Sequence, residues 1–177
     1  MELLSDKNVD YTKLRNFLAN GEWKEADMET VRCMLKVAER QSKGYLDVED
    51  IENFPCIDLR TIDQLWVKCS DGKFGFSVQK KIYQGLGGTK EYDREVWKKF
   101  GDKVGWRKGD KWLSYNELTF SSTHYTGHLP VGGYDIRWIG GKHWVWWNFD
   151  EWKDAGLWLS RRAGGGYRYY LLSHRDL

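Results

Sequence analysis

Proline is nearly absent, with two among 177 residues, while charged residues make up 31 % of the chain. A mostly ordered globular domain fits that balance better than a low-complexity or disordered one. Cysteine is scarce as well. Cys33, Cys56 and Cys69 are odd in number and form no CxxC metal pair, so neither a disulfide framework nor a cysteine zinc site is indicated. Cys33 lies in an amphipathic pattern and reads as a small buried apolar residue in a reducing compartment. The formal net charge is only +2, with Lys and Arg interleaved among Asp and Glu. That excludes the clustered basic face of a nucleic-acid binder. No apolar stretch reaches the length of a membrane span, and the first residues show neither a signal nor a transit pattern. The expectation is a cytoplasmic protein without a transmembrane segment, with peripheral membrane contact left open.

Catalytic signatures are missing too. The histidines are His124, His128, His143 and His174, and none forms HExxH. His124 and His128 are four apart, but Tyr125-Thr126-Gly127 and Leu129-Pro130 argue for loop, so both read as turn or packing histidines. There is no GxSxG elbow, P-loop or GxGxxG after a strand. Neighbouring carboxylates such as Asp47/Glu49/Asp50 and Asp58/Asp63 read as solvated or capping groups rather than acid–base pairs. The chain is expected to be no enzyme, with no catalytic residues, no metal site and no required cofactor.

Tryptophan is what the chain has in excess, with eleven residues, more than a core of this size needs. Trp is enriched where a surface grips something flat or greasy.

Apolar periodicity sets out helices in order. Tyr11, Leu14, Phe17 and Leu18 follow Asp10 as N-cap and stop at Asn20-Gly21. Trp23 to Ala38 carries a second stripe, expected to run on towards Lys43-Gly44. A short helix follows Asp47 and ends before Pro55, and Asp58 to Lys68 is the next. Phe74 to Tyr83 fits either a strand or a helix capped by Ser77. Gly85 to Gly88 is a loop, and Tyr92 to Val104 is helical with Val96, Trp97 and Phe100 inward. Two apolar clusters flank Lys108-Gly109-Asp110, and a long loop runs from Ser121 to about Gly133. Such loops tend to be functional or mobile. Further on, Tyr134–Ile139 and Lys142–Trp147 flank Gly140-Gly141, a hairpin signal, and Trp152 to Leu159 suits a short helix.

Aromatic and branched residues with cations beside them are spread over segments that end in loops: Phe74, Phe76, Val78, Trp106, Phe120, Tyr125 and Leu129, with Lys73, Lys80, Lys81 and Arg107. This set suits a flat apolar macrocycle with anionic edge groups. Apolar walls remove the ring from water at about 25 cal/mol per Å², and rim cations pair with its carboxylates. The same residues also suit a core with a solvated surface.

Five segments, in order, resemble the Genomes Uncoupled Four family: Leu14 to Asp27, Phe54 to Trp66, Gly72 to Lys80, Phe100 to Arg107 and Gly127-His-Leu-Pro130. Together they cover about residues 11 to 131. The resemblance implies a mainly α fold, a single all-helical porphyrin-binding domain over 1–131. A Trp/Gly-rich extension over 132–177 is expected to add a small hairpin and to pack on the domain or meet a partner. It also implies binding of protoporphyrin IX and magnesium protoporphyrin IX, and stimulation of magnesium chelatase in chlorophyll biosynthesis through that enzyme's large porphyrin-binding subunit. Cyanobacterial relatives are expected. The alternative is a bilin-binding or signalling module of the same fold. Carried onto this chain, the family's ligand loop corresponds to Phe120–Pro130. Phe74, Phe76, Val78, Trp106, Phe120, Tyr125 and Leu129 would contact the macrocycle, and Lys80 or Arg107 its carboxylates. Two stretches depart from the pattern: Ser121–Thr126 lacks the expected proline, and no counterpart is placed from Val131 onward.

Overall fold

The computed structural model describes residues 2–46, 48–89 and 91–132, together with Leu172, His174 and Leu177. Six helices dominate: α1 (Thr12–Ala19), α2 (Trp23–Val37), α3 (Val48–Glu52), α4 (Cys56–Cys69), α5 (Phe76–Gly85) and α6 (Arg94–Lys103). The only sheet among the described residues pairs β1 (Arg107–Lys108) with β2 (Lys111–Trp112). A 3-10 turn follows at Tyr115–Glu117. The fold is mainly α, as the helical stripes imply. The expected hairpin over 134–147, the helix over 152–159 and nearly all of the 132–177 extension lie outside the described residues.

α1 and α2 form a helical hairpin, and α4 packs across α1. The Asp10 carboxylate accepts the Thr12 N–H at 2.8 Å and starts α1. Tyr11, Leu14 and Leu18 are fully buried. Trp66 of α4 is buried too, and its indole N–H donates to the Thr30 hydroxyl of α2 at 2.9 Å. That bond satisfies the one polar atom Trp brings into a core. Asp58 ties the N-terminal segment to α4. Its carboxylate accepts from the Tyr11 hydroxyl at 2.6 Å, the Asp6 N–H at 2.9 Å and the Ser5 hydroxyl.

α1, α2, α5 and α6 all end in one way. A residue with positive φ follows the cap, and the next two N–H groups fold back onto carbonyls of the last turn, the Schellman arrangement. In α2 the left-handed residue is Glu39, at φ +59°. The Glu39 and Arg40 N–H groups donate to Lys36 O and Leu35 O at 3.1 and 2.8 Å. The helix therefore stops at Val37, well short of the Lys43-Gly44 signal. Asp50 explains what the intervening chain does instead: its buried carboxylate pairs with Arg40 at 2.8 Å and Lys43 at 3.6 Å.

The strand-or-helix question at Phe74–Tyr83 resolves to helix, and Ser77 is not its cap. Gly75 is the N-cap, at φ +135°. The capping acceptor comes from α4, because Asp63 Oδ1 takes the Ser77 N–H at 2.8 Å. A Cβ at Gly75 would lie 2.7 Å from Val67 Cγ2 and 3.0 Å from that same oxygen. Burial raises the Asp63 pKa, while the Ser77 and Phe76 groups pull it back down. α6 is capped locally: Asp93 accepts from Glu95 and Val96 at 2.8 and 2.9 Å. The Tyr83, Trp97, Phe100 and Trp106 rings then meet at 5.1–5.9 Å in one aromatic cluster between α5, α6 and the chain leaving α6.

Candidate functional site

The segment from Phe120 to Gly132 crosses the start of α5 and the turn after α6, and it has two distinct halves. In the C-terminal half, Gly127 to Pro130 are buried. Gly127 N–H donates to Lys73 O at 2.8 Å, and Gly75 N–H to Leu129 O at 3.0 Å. The Gln79 amide on α5 donates to both Gly127 O and Pro130 O at 2.9 Å. Trp106 Nε1 donates to His128 O at 2.8 Å, while His128 Nδ1 donates to Val104 O at 2.7 Å. Asp27, fully buried on α2, accepts the Val131 and Gly132 N–H groups at 2.6 and 2.9 Å, and the Tyr115 hydroxyl at 3.0 Å. This half is part of the core. The expectation of mobility along the whole loop does not describe it, because its backbone groups are met from α2, α5 and the α6 turn.

The N-terminal half, Ser121 to Thr126, lies outside. Ser121 and Thr123 hydroxyls bond each other at 2.9 Å, and Lys73 Nζ donates to Ser122 O at 2.5 Å. Tyr125 is 53 % exposed, the one large apolar side chain so exposed between residues 58 and 132 among the described residues. It is nevertheless seated. Gly105, at φ +75°, leaves its Cα open, and a Cβ there would collide with the Tyr125 ring. His124 stands edge-on to Tyr125 with centroids 4.8 Å apart, and edge-on to His128 at 4.6 Å. The result is an aromatic face turned to solvent and backed by a fixed core.

The nine residues singled out from the sequence fall into two layers against this arrangement. Phe74 and Leu129 have no exposed surface, and Phe76 and Trp106 almost none. Phe74 packs on Trp23 and Trp66. Tyr125, Phe120 and Val78 keep surface open to solvent. Phe120 leans on Tyr115 at 5.0 Å, with Lys24 Nζ 5.8 Å above its ring. The two expected rim cations have partners already. Arg107 donates from Nη1 to both Asp102 carboxylate oxygens at 2.8 and 2.9 Å, and its side chain is 7 % exposed. Lys80 Nζ donates to His174 O at 2.6 Å and Leu177 O at 3.0 Å.

Sequence reasoning missed Asp27 and Gln79, the polar groups that position the segment, and read Asp63 only as a solvated or capping carboxylate, without its buried bond to Ser77. Their partners lie 104, 14 and 48 residues away for the bonds to Val131, Ser77 and Gly127, so local pattern carries no signal for them.

A separate cleft of about 250 Å³ is lined by Lys7, Glu39, Arg40, Glu49, Asp50 and a few apolar groups. The Lys7–Glu39 and Arg40–Asp50 ion pairs occupy its rim. It lacks the broad apolar walls a flat ring needs. Among the described residues no group of three or more His, Cys, Asp or Glu could hold a metal ion, and no helix there is long and apolar enough to cross a membrane.

Comparison with known proteins places this geometry. A family model described as GUN4-like matches residues 4–152. The chain is 36 % identical over 132 residues to the uncharacterized protein ycf53 of Porphyra purpurea, covering 73 % of this chain and 52 % of that protein. It is 37 % identical over 130 residues to the chloroplastic tetrapyrrole-binding protein of Arabidopsis thaliana, covering 67 % and 46 %. It therefore spans about half the length of the curated relatives it matches. The structure of GUN4 from Chlamydomonas reinhardtii superposes with a TM-score of 0.65 at 34 % identity, covering 74 % of this chain and 86 % of that one. With the family model matching most of its length and the fold shared, this chain belongs to the GUN4-like family.

Proposed function

We propose that this domain binds a porphyrin-type tetrapyrrole, protoporphyrin IX or its magnesium complex, against the outer half of the Phe120–Pro130 segment. We further propose that it stimulates magnesium chelatase in this way, without turning over a substrate of its own. The exposed but seated Tyr125 ring is the observation that carries the reading. An isolated large aromatic costs little at a surface, but one wedged onto a glycine backbone beside a second ring is preorganised for stacking. Family membership supplies the class of ligand, since the Arabidopsis relative is named a tetrapyrrole-binding protein.

In this reading Tyr125, Phe120 and Val78 form the contact layer. Trp106, Leu129, Phe74 and Phe76 support it from beneath. A ligand carboxylate that reaches Lys80 displaces the His174 and Leu177 main-chain oxygens, and one that reaches Arg107 competes with Asp102. Both cations must give up a partner they already hold, so the apolar layer supplies most of the affinity.

The test is a titration of the purified protein with protoporphyrin IX, magnesium protoporphyrin IX and a linear bilin, followed by visible absorption and Trp fluorescence. Saturable porphyrin binding is expected, and the Phe120→Ala/Tyr125→Ala double variant should lose about ten- to hundredfold in affinity at unchanged Tm. No binding of either porphyrin overturns the reading; binding of the bilin alone selects the bilin-binding module. Added to a chelatase assay, the protein should raise the rate of magnesium insertion and insert none when alone.

A further inference from the structure

Resting on the tetrapyrrole reading, we infer that His124 is an axial ligand for the metal of a metallated macrocycle stacked on the Tyr125 face, so that this chain discriminates metallated from metal-free rings. A metal held by four in-plane nitrogens keeps open positions above and below the ring. Neutral imidazole is the commonest protein ligand for such metals and suits zinc and iron in particular. An axial ligand needs one imidazole, not the group of three that a metal ion bound by protein alone requires.

Three observations place the imidazole for this task. His124 sits in the outer half of the segment, partly open to solvent, directly beside the exposed Tyr125. Its ring is held by two edge-on neighbours, Tyr125 at 84° and His128 at 75°. His128 is itself fixed, being fully buried with Nδ1 bonded to Val104 O. His124 is thus a ring with a fixed station and, among the described residues, no hydrogen-bond partner for its own nitrogens. Packing needs do not call for histidine there, because the neighbouring contacts are ring edges that any aromatic residue would make. What histidine adds over phenylalanine is a nitrogen lone pair. In the step proposed, that lone pair forms a dative bond to the central metal. No proton is transferred and no oxidation state changes.

Zinc protoporphyrin IX and protoporphyrin IX are the probes, because they share edge groups and shape and differ at the centre. The wild-type chain is expected to bind the zinc complex about tenfold or more tightly than the free base, with the red-shifted Soret band of a five-coordinate zinc. His124→Phe keeps an aromatic ring in place. It should erase both the preference and the shift while leaving free-base affinity unchanged, and added imidazole should restore the shifted band. His124→Gln provides a second chain without the imidazole should the first be unstable, with the same result expected. An unaltered zinc band and affinity ratio in either variant overturns the assignment while the tetrapyrrole reading stands. Equal loss for zinc and free-base rings shows that His124 only stacks, and also overturns it. If the wild type binds neither ring, both readings fall together.

Discussion

Residues 121–126 and 127–131 are adjacent in sequence and opposite in physics. The second stretch is buried and bonded by backbone and side-chain groups from α2, α5 and the α6 turn. The first is exposed, tied by one lysine and a hydroxyl pair. The buried Asp27 carboxylate, Gln79 amide and His128 Nδ1 at the inner half serve as anchors, since an unmet backbone group in a core is costly. The outer half avoids that constraint and can display rings to a ligand. A loop built this way holds a contact surface still without burying it.

The contrast predicts that substitutions at the anchors affect stability and those in the outer half affect binding. Asp27→Ala should have the largest effect. It removes one buried carboxylate that accepts three hydrogen bonds. A loss of about 3 kcal/mol is expected, since hydrogen bonds to charged groups contribute about 1.5–3 kcal/mol each and are not additive. Urea denaturation measures it; a loss below about 1 kcal/mol would mean that the inner half does not depend on its anchor.

Gln79→Leu comes next. It keeps the bulk but deprives Gly127 O and Pro130 O of their shared donor. The expected cost is about 2 kcal/mol, with weaker ligand binding because the support moves. A variant that is fully stable yet binds no ligand would place Gln79 in the contact layer and break the division.

How much of this was legible beforehand follows from how far each determinant reaches. The order of helices follows from local apolar spacing, and so does the loop after Phe120. The end of α2 did not follow, because Glu39 takes the left-handed position that composition assigns to glycine, and Gly44 gave a false stop. α5 stayed ambiguous because its cap is Asp63, one helix away. For the site, the choice of segment was legible but the layering was not. Phe74, Trp106, Leu129 and Tyr125 are all apolar in sequence, and only the fold shows that three are inside and one is out. The two chosen cations were read from charge alone. Where their partners lie, five residues back in Asp102 for Arg107 and about a hundred residues on in His174 and Leu177 for Lys80, needs three dimensions.

Tyr125→Ala should reverse the anchor pattern. With the ring already half in water, stability should stay within about 0.5 kcal/mol of wild type. Porphyrin affinity should fall about tenfold, equivalent to about 1.4 kcal/mol. Parallel melting and titration curves measure both. A large drop in Tm with affinity retained would assign Tyr125 to the core despite its exposure.

Lys73→Met should have the smallest effect and draws the boundary most sharply. The Lys73 side chain reaches only the outer half, through Ser122 O, while its backbone carbonyl serves the inner half through Gly127 N–H. The substitution removes the first contact and leaves the second in place. An exposed, charge-assisted bond of this kind contributes about 0.5 kcal/mol or less after side-chain ordering and solvent screening. Global stability should therefore hardly move. Local opening should: amide hydrogen exchange is expected to rise over Ser121–Thr126 and to stay unchanged at Gly127 and Val131, whose N–H groups donate to Lys73 O and to the buried Asp27 carboxylate. Affinity should weaken less than in Tyr125→Ala, because the loosened ring must be ordered again on binding but still offers its full face. Faster exchange spreading through residue 131 would show that the two halves open together, and the separation of support from contact would then be lost.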